Sequence, residues 1–240
     1  MSATSVRAAA AATPQEPRAR NSTWRKLLRN RNVVVGSVLI LLLVLTAAVA
    51  PWITPMDPLR QNIWESYTAP QGFFVDGAFN TQYVLGADEL GRDLLSRLIM
   101  GTRVSLLVAL IATAISLAGG VILGAIAGYV GGLVDNVIMR VMDVLLALPG
   151  ILLAIAIVAT FGPSIVNVML AIAVVRIPAM ARVVRSEVLA LREEEFVEAS
   201  RALGISPMRI LFRHILLNAW APALVIATLG MGTAIVAEAS

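Results

Sequence analysis

The side chains able to do chemistry are sparse in this chain, and most lie in a few charged patches. There is no cysteine and a single histidine, His214. Disulfides, thiolate metal sites, cysteine nucleophiles and any multi-histidine metal centre are therefore excluded. No GxxxxGK[ST] pattern occurs, so a phosphate-cradling loop is not expected in the chain itself. Two stretches remain. One runs from Leu85 to Arg97 and holds Gly86, Asp88, Gly91, Arg92, Asp93, Ser96 and Arg97. The other holds Glu198, Ala199, Ser200 and Arg201 ahead of Gly204 and Pro207. Neither supplies a nucleophile and base, nor metal ligands, at membrane depth. An intramembrane enzyme is therefore disfavoured.

The elements that must position these residues are set by composition. Hydrophobic residues make up 58% of the 240 positions and charged residues only 14%. Soluble domains carry about 45–50% apolar and about 25% charged residues. Long uncharged runs point the same way, to an all-α polytopic membrane protein. The net charge of +4 does not indicate nucleic acid, because the basic residues flank apolar segments and form no single soluble patch.

Residues 1–32 read as a basic tail, with Arg7, Arg18, Arg20, Arg25, Lys26, Arg29 and Arg31 against Glu16. Trp24 to Asn30 reads equally as a basic surface helix or as solvated tail. Residues 33–54 form the first expected span; a cleaved signal peptide is the competing reading. Residues 55–102 form a polar loop richer in acids than in bases. Residues 103–240 hold the remaining core, with spans expected over 104–127, 136–160, 165–181 and 215–237, which makes five in all.

Within these spans, Gly120, Gly124 and Gly128 fall four apart, a face suited to close helix packing inside the chain or, second, to a dimer contact. Asp135 is a candidate cap. Arg140 and Asp143 are spaced to pair. Pro149 bends the third span, either to line a path or to suit packing. Arg176 either snorkels to the interface, the preferred reading, or faces a wet cavity. His214 reads as an interfacial anchor in preference to a proton relay. The positive-inside rule places the tail and the 182–213 stretch in the cytoplasm and the 55–102 loop outside.

Residues 183–213 are too charged to cross a bilayer. Val184, Val188, Leu191, Phe196, Val197, Ala199 and Leu203 give a helical stripe over Val183–Leu203. Gly204 ends it, and Ser206 with Pro207 opens a second short helix to Arg213. From composition alone, a protein-docking surface and an amphipathic re-entry into the headgroups stay equally open.

Glu198-Ala199-Ser200-Arg201-Ala202-Leu203-Gly204, followed by His214-Ile215-Leu216 and Asn218, resembles the EAA loop of ABC importer permeases. Leu85 to Arg97, with Gly101-Thr102-Arg103-Val104-Ser105-Leu106, is similar to the opening signature of the dipeptide, oligopeptide and nickel branch, in its C-type subunit. The tail, the first span and Pro55-x-Asp57-Pro58 also resemble that subunit. Departures are Ala199-Ser200 for Ala-Ala, Leu217 where the branch has proline, and Arg176-Ile177-Pro178 where an aromatic is common.

The resemblance implies a type I importer fold with six spans, and Ala237 to Ser240 resembles the lead into the sixth. The chain is therefore expected to stop before that span. It also implies a coupling helix at 198–213 that docks on a cytoplasmic ATPase. The implied partners are a homologous permease subunit, two ABC ATPase subunits carrying ATP and magnesium, an extracytoplasmic solute-binding protein and the lipid bilayer. No cofactor and no metal are implied for this chain. Di- or oligopeptides and nickel chelates are the implied solutes, with no substrate-binding residue assignable. A non-transporting fragment or assembly subunit is the alternative. A secondary transporter is less favoured, since the span centres are nearly free of ionisable groups.

Overall fold

The computed structural model describes residues 29–75 and 77–238. The expected surface helix at Trp24–Asn30 lies almost wholly outside them. The chain divides into two units, Met1–Thr46 and Ala47–Ser240. Helix α1, Arg31–Ile53, is 23 residues long, about 34 Å at helical rise and enough to cross a bilayer. Apolar side chains from Val35 to Leu45 are mostly exposed, as expected of a helix that meets lipid on most of its circumference.

In the second unit the loop after α1 contains a 3-10 turn at Ile63–Glu65 and a hairpin of β1, Phe74–Val75, with β2, Ala78–Phe79. Phe74 pairs with Phe79 and Val75 with Ala78. Seven helices follow: α2 Leu94–Val130, α3 Gly132–Ala147, α4 Gly150–Phe161, α5 Ile165–Leu191, α6 Glu195–Ala202, α7 Pro207–Ile210 and α8 Leu216–Glu238. A π turn at Leu211–Ile215 joins α7 to α8. Four helical segments among the described residues are long and apolar enough to span a membrane, or five if α3 and α4 together make one span.

Three elements differ from the sequence reading. The helix expected over 104–127 begins at Leu94 and runs 37 residues, because Asp93 caps it well inside the polar loop. The third span, expected as one helix bent at Pro149, is two helices: α3 and α4 meet at 94°. Leu148 is extended there (φ −88, ψ 137), the conformation a following proline imposes. The fourth span does not end near Ala181 but continues to Leu191, so Arg182, Arg185 and Arg192 ride on or just beyond its end.

The glycine stripe decides the packing. A Cβ on Gly120 would overlap Met180, one on Gly124 would overlap the Ala181 carbonyl, and one on Gly128 would lie 2.9 Å from the Arg185 carbonyl oxygen. The stripe is thus the contact of α2 with α5 inside this chain. Ala109, Ala112, Met169, Ala173 and Ala234 extend the seam toward the other end and bring in α8. Ala125, Val184, Val188, Val197, Ile210 and Ile215 form a second core that reaches α6 and α7.

Gly124→Val is expected to lower stability by about 1–3 kcal/mol, the usual cost of overpacking, seen as a lower melting temperature of the detergent-purified chain. Gly101→Ala, where an added Cβ meets nothing within 4 Å, is expected to be neutral or stabilising by about 0.5–1 kcal/mol. Equal effects of the two would remove the steric account of the stripe.

Candidate functional site

The two patches fold in different ways. From Leu85 to Arg97 the chain makes a tight latch. Asp88 accepts hydrogen bonds from Leu90 N (2.9 Å), Arg92 N (2.9 Å) and Arg92 Nε (2.7 Å), and Arg97 Nη1 lies 3.1 Å from its carboxylate. Asp93 is buried, and its Oδ2 accepts from Ser96 N at 2.8 Å, capping α2. Ser96 Oγ in turn accepts from Met56 N at 3.0 Å, tying the first turn of the polar loop to the start of α2. Gly86 and Gly91 have φ of +86 and +70, and a Cβ on either would strike the backbone at Thr68 or Asn62. All seven of Gly86, Asp88, Gly91, Arg92, Asp93, Ser96 and Arg97 are thus brought together around one turn. Their arrangement makes and holds that turn.

The second patch is built on a shared core. Arg192, Glu193 and Glu194 break the helical run, so α6 begins at Glu195 with Glu195 and Glu198 in its first turn. Acidic residues there complement the positive end of the helix dipole. The break shifts the phase of the expected stripe: Val184, Val188 and Val197 are buried, whereas Phe196 and Leu203 stand 40% and 81% exposed. Ser200 is buried, with its Oγ donating to the Phe196 carbonyl at 2.7 Å. Glu198, Ala199 and Arg201 face outward.

Gly204, at φ +73, closes α6 in a Schellman turn: Gly204 N donates to Arg201 O (2.9 Å) and Ile205 N to Ser200 O (3.1 Å). Ser206 holds the N-cap position without a side-chain bond, and Pro207 opens α7. The short helix does not stop at Arg213 as the sequence suggested; it runs through the π turn into α8. Exposed Leu203, Met208 and Phe212 lie beside the polar positions in sequence and form no part of the core.

Sequence reasoning missed the side chains that hold this end together. Asp135 caps nothing; Gly131 occupies that position, and the Asp135 carboxylate takes both Nε and Nη2 of Arg185. Asp143 pairs with Arg182 at 2.6 Å and forms no ion pair with Arg140. Arg192 Nη1 donates to the Gly128 carbonyl at 3.1 Å. Arg176 Nη1 donates to Gly230 O and Thr233 Oγ1 on α8. None of these partners is near in sequence, so no periodicity marks them. His214 is half-buried, and its carbonyl accepts from Asn218 Nδ2 at 2.7 Å.

Burial alone would raise the Asp88 carboxyl, but the Arg92 backbone and side-chain donors and Leu90 N outweigh it and hold the group below its ordinary value of 3.8. A depressed carboxyl contributes stability above its unfolded pKa and loses it as pH falls through the folded one. The latch is therefore expected to loosen below about pH 4, read as faster proteolysis of the 55–93 loop by an acid-active protease. Asp88→Asn should flatten that dependence, and an unchanged acid profile in the variant would assign it elsewhere.

Two family models match this chain, on either side of the Leu85–Arg97 latch. Residues 120–240 match the family described as binding-protein-dependent transport system inner membrane component. Residues 20–70 match the N-terminal TM domain of oligopeptide transport permease C. A di/tripeptide transport system permease protein from Pseudomonas aeruginosa is 40% identical over 217 residues, covering 90% of this chain and 71% of the relative. A dipeptide transport system permease protein from Alkalihalophilus pseudofirmus is 41% identical over 231 residues, covering 95% and 73%. A glutathione transport system permease protein from Shigella flexneri is 42% identical over 217 residues, covering 90% and 69%. With identity of this order across nearly its whole length, the chain belongs to the family of inner-membrane components of binding-protein-dependent transport systems.

Proposed function

We propose that this chain lines half of a path for short peptides through the plasma membrane, and that separate ATPase subunits drive it through α6 and the Gly204 turn. The observation that carries the coupling role is the double character of α6. Val197 on one face is fully buried with Val184, Val188, Ile210 and Ile215, while Glu198, Ala199 and Arg201 face outward. A push on the outer face thus acts on the core shared with α2, α5 and α8. An element that both sites bias is what coupling requires. The peptide class follows from the relatives, whose names specify dipeptides, di/tripeptides and glutathione.

The same reading assigns the remaining partners. A homologous permease would supply the other half of the path. A solute-binding protein would deliver from the side of the Asp88 latch. ATP and magnesium would stay in the ATPase chains. On this reading the chain's role is to bind, orient and move. The tail and α6 would face the cytoplasm, and the latch would face outside, with net basic residues retained inside as the positive-inside rule requires.

Two experiments test this. The first uses the absence of cysteine. Trp64→Cys, at a position 98% exposed, should react with a membrane-impermeant thiol reagent on intact cells, and Ala199→Cys only after permeabilisation. The reverse pattern would overturn the orientation. In the second, Glu198→Lys and Gly204→Val are made in the assembled transporter. Gly204→Val forces a β-branched residue into a left-handed conformation, at about 1–2 kcal/mol. Each variant should insert normally and lose at least about tenfold in peptide uptake per ATP hydrolysed, as for the loss of about 1.4 kcal/mol of coupling. Full coupling in both would sink the docking assignment.

A further inference from the structure

Arg176 is a cation within a span that the coupling role leaves unexplained. It is half-buried on α5, between the 94° bend of α3 and α4 and the last turns of α8. A cavity of about 400 Å³ opens here, lined by Gly150, Ala154, Val175, Arg176, Thr233 and Ala237 among others. A second cavity of about 230 Å³ shares Val175, Arg176 and Thr233 with it and adds Ser116. The walls are otherwise almost wholly apolar. A small-molecule site has this composition: apolar lining with a few placed polar groups, in a volume of about 300–1,000 Å³.

The placement of the guanidinium is built into the chain. A Cβ at Gly230 would overlap Arg176 Nη2 as it now lies, so a larger residue there would have to displace the guanidinium. Nη1 meets both acceptors, Gly230 O and Thr233 Oγ1, while Nε is buried with no hydrogen-bond partner. Every other described arginine that pairs with an acid does so near a helix end or in the loop; no described carboxylate forms an ion pair with Arg176. An ionised group at membrane depth is costly unless it lines a wet path or meets a counter-charge. A planar guanidinium is the side chain that best takes a carboxylate in two parallel hydrogen bonds.

We propose that Arg176, with Thr233, forms a carboxylate-docking site in this cavity, which takes the terminal carboxylate of the passing solute. The identity of that solute as a short peptide rests on the function proposed above; the anion site does not. The positive charge in an apolar pocket draws the carboxylate end in and holds it until the helices move. Thr233 Oγ1 holds Nη1 of the guanidinium at the cavity both residues line. Arg176 is thus a specificity residue for the free carboxylate.

The test uses the full chain assembled with its partner subunits, in two arms. Ala154→Cys places one thiol on the cavity wall of a chain that has no other cysteine. Its modification by an anionic methanethiosulfonate is expected to outpace that by a cationic one by roughly tenfold, as a focused positive site draws counter-ions. The ratio should fall toward that of free thiol in Arg176→Gln and be retained in Arg176→Lys. An Arg176→Gln ratio equal to that of Ala154→Cys alone would overturn the proposal.

The second arm compares uptake of Ala-Ala with that of C-terminally amidated Ala-Ala. Preference for the free acid should be lost in Arg176→Gln and kept in Arg176→Lys; a preference that Arg176→Gln leaves intact overturns the site. If the wild-type assembly moves neither peptide, the peptide reading fails, and the labelling arm still decides the anion site.

Discussion

Everything in the second unit depends on how closely α2 can approach α5. Between two helices in lipid there is no hydrophobic drive, since the acyl chains are as apolar as leucine. Association rests on van der Waals contact and on hydrogen bonds. Gly120, Gly124 and Gly128 remove the side chains that would separate the backbones, and Met180, Val184 and Val188 fill the space. Arginines on and just beyond the end of α5 then find partners on the elements it packs against: Arg185 at Asp135 of α3, Arg192 at the Gly128 carbonyl of α2. Bulk at any of these glycines would displace both the packing and the polar ties beyond it.

That seam gives the small helix α6 its significance. A helix of eight residues is not stable alone. It persists because Val197 enters the core that α2, α5, α7 and α8 share and because Gly204 closes its end. Its exposed side is then free to be polar and small. Close by, the π turn at Leu211–Ile215 passes α7 into α8 without a loop, so α6 and the long helix are separated only by the Schellman turn and Ser206. Tight closure and shared burial, not a long rigid rod, are what link the outward face to the spans.

The two polar devices in the chain use arginine differently. In the Asp88 latch, arginine serves an acid that is held charged, outside the apolar spans. At Arg176 the cation has only neutral acceptors, a carbonyl and a hydroxyl. The first arrangement fixes a turn. The second leaves hydrogen-bonding capacity unspent beside a cavity, a feature of binding sites and seldom of cores.

What the sequence by itself determined was whatever is written in local chemistry. Runs without charge set the spans. The fourfold spacing of Gly120, Gly124 and Gly128 set a packing face. Gly204 and Pro207 marked a stop and a start, since left-handed φ and a missing N–H are properties of single residues. Gly86, Asp88 and Asp93 were legible as a patch, though their service to one turn was not. Only the tertiary structure decided the rest. The partner of Asp135 lies 50 residues away at Arg185; the charged tail of the fourth span stays helical because Val184 and Val188 are buried against α2, α6 and α7; the bend at Pro149 opens to 94°. Arg176, for which sequence offered an interface or a cavity, finds its acceptor in the carbonyl of a glycine 54 positions later. Such pairings depend on which helix faces come together, and periodicity along one helix carries no record of its neighbour.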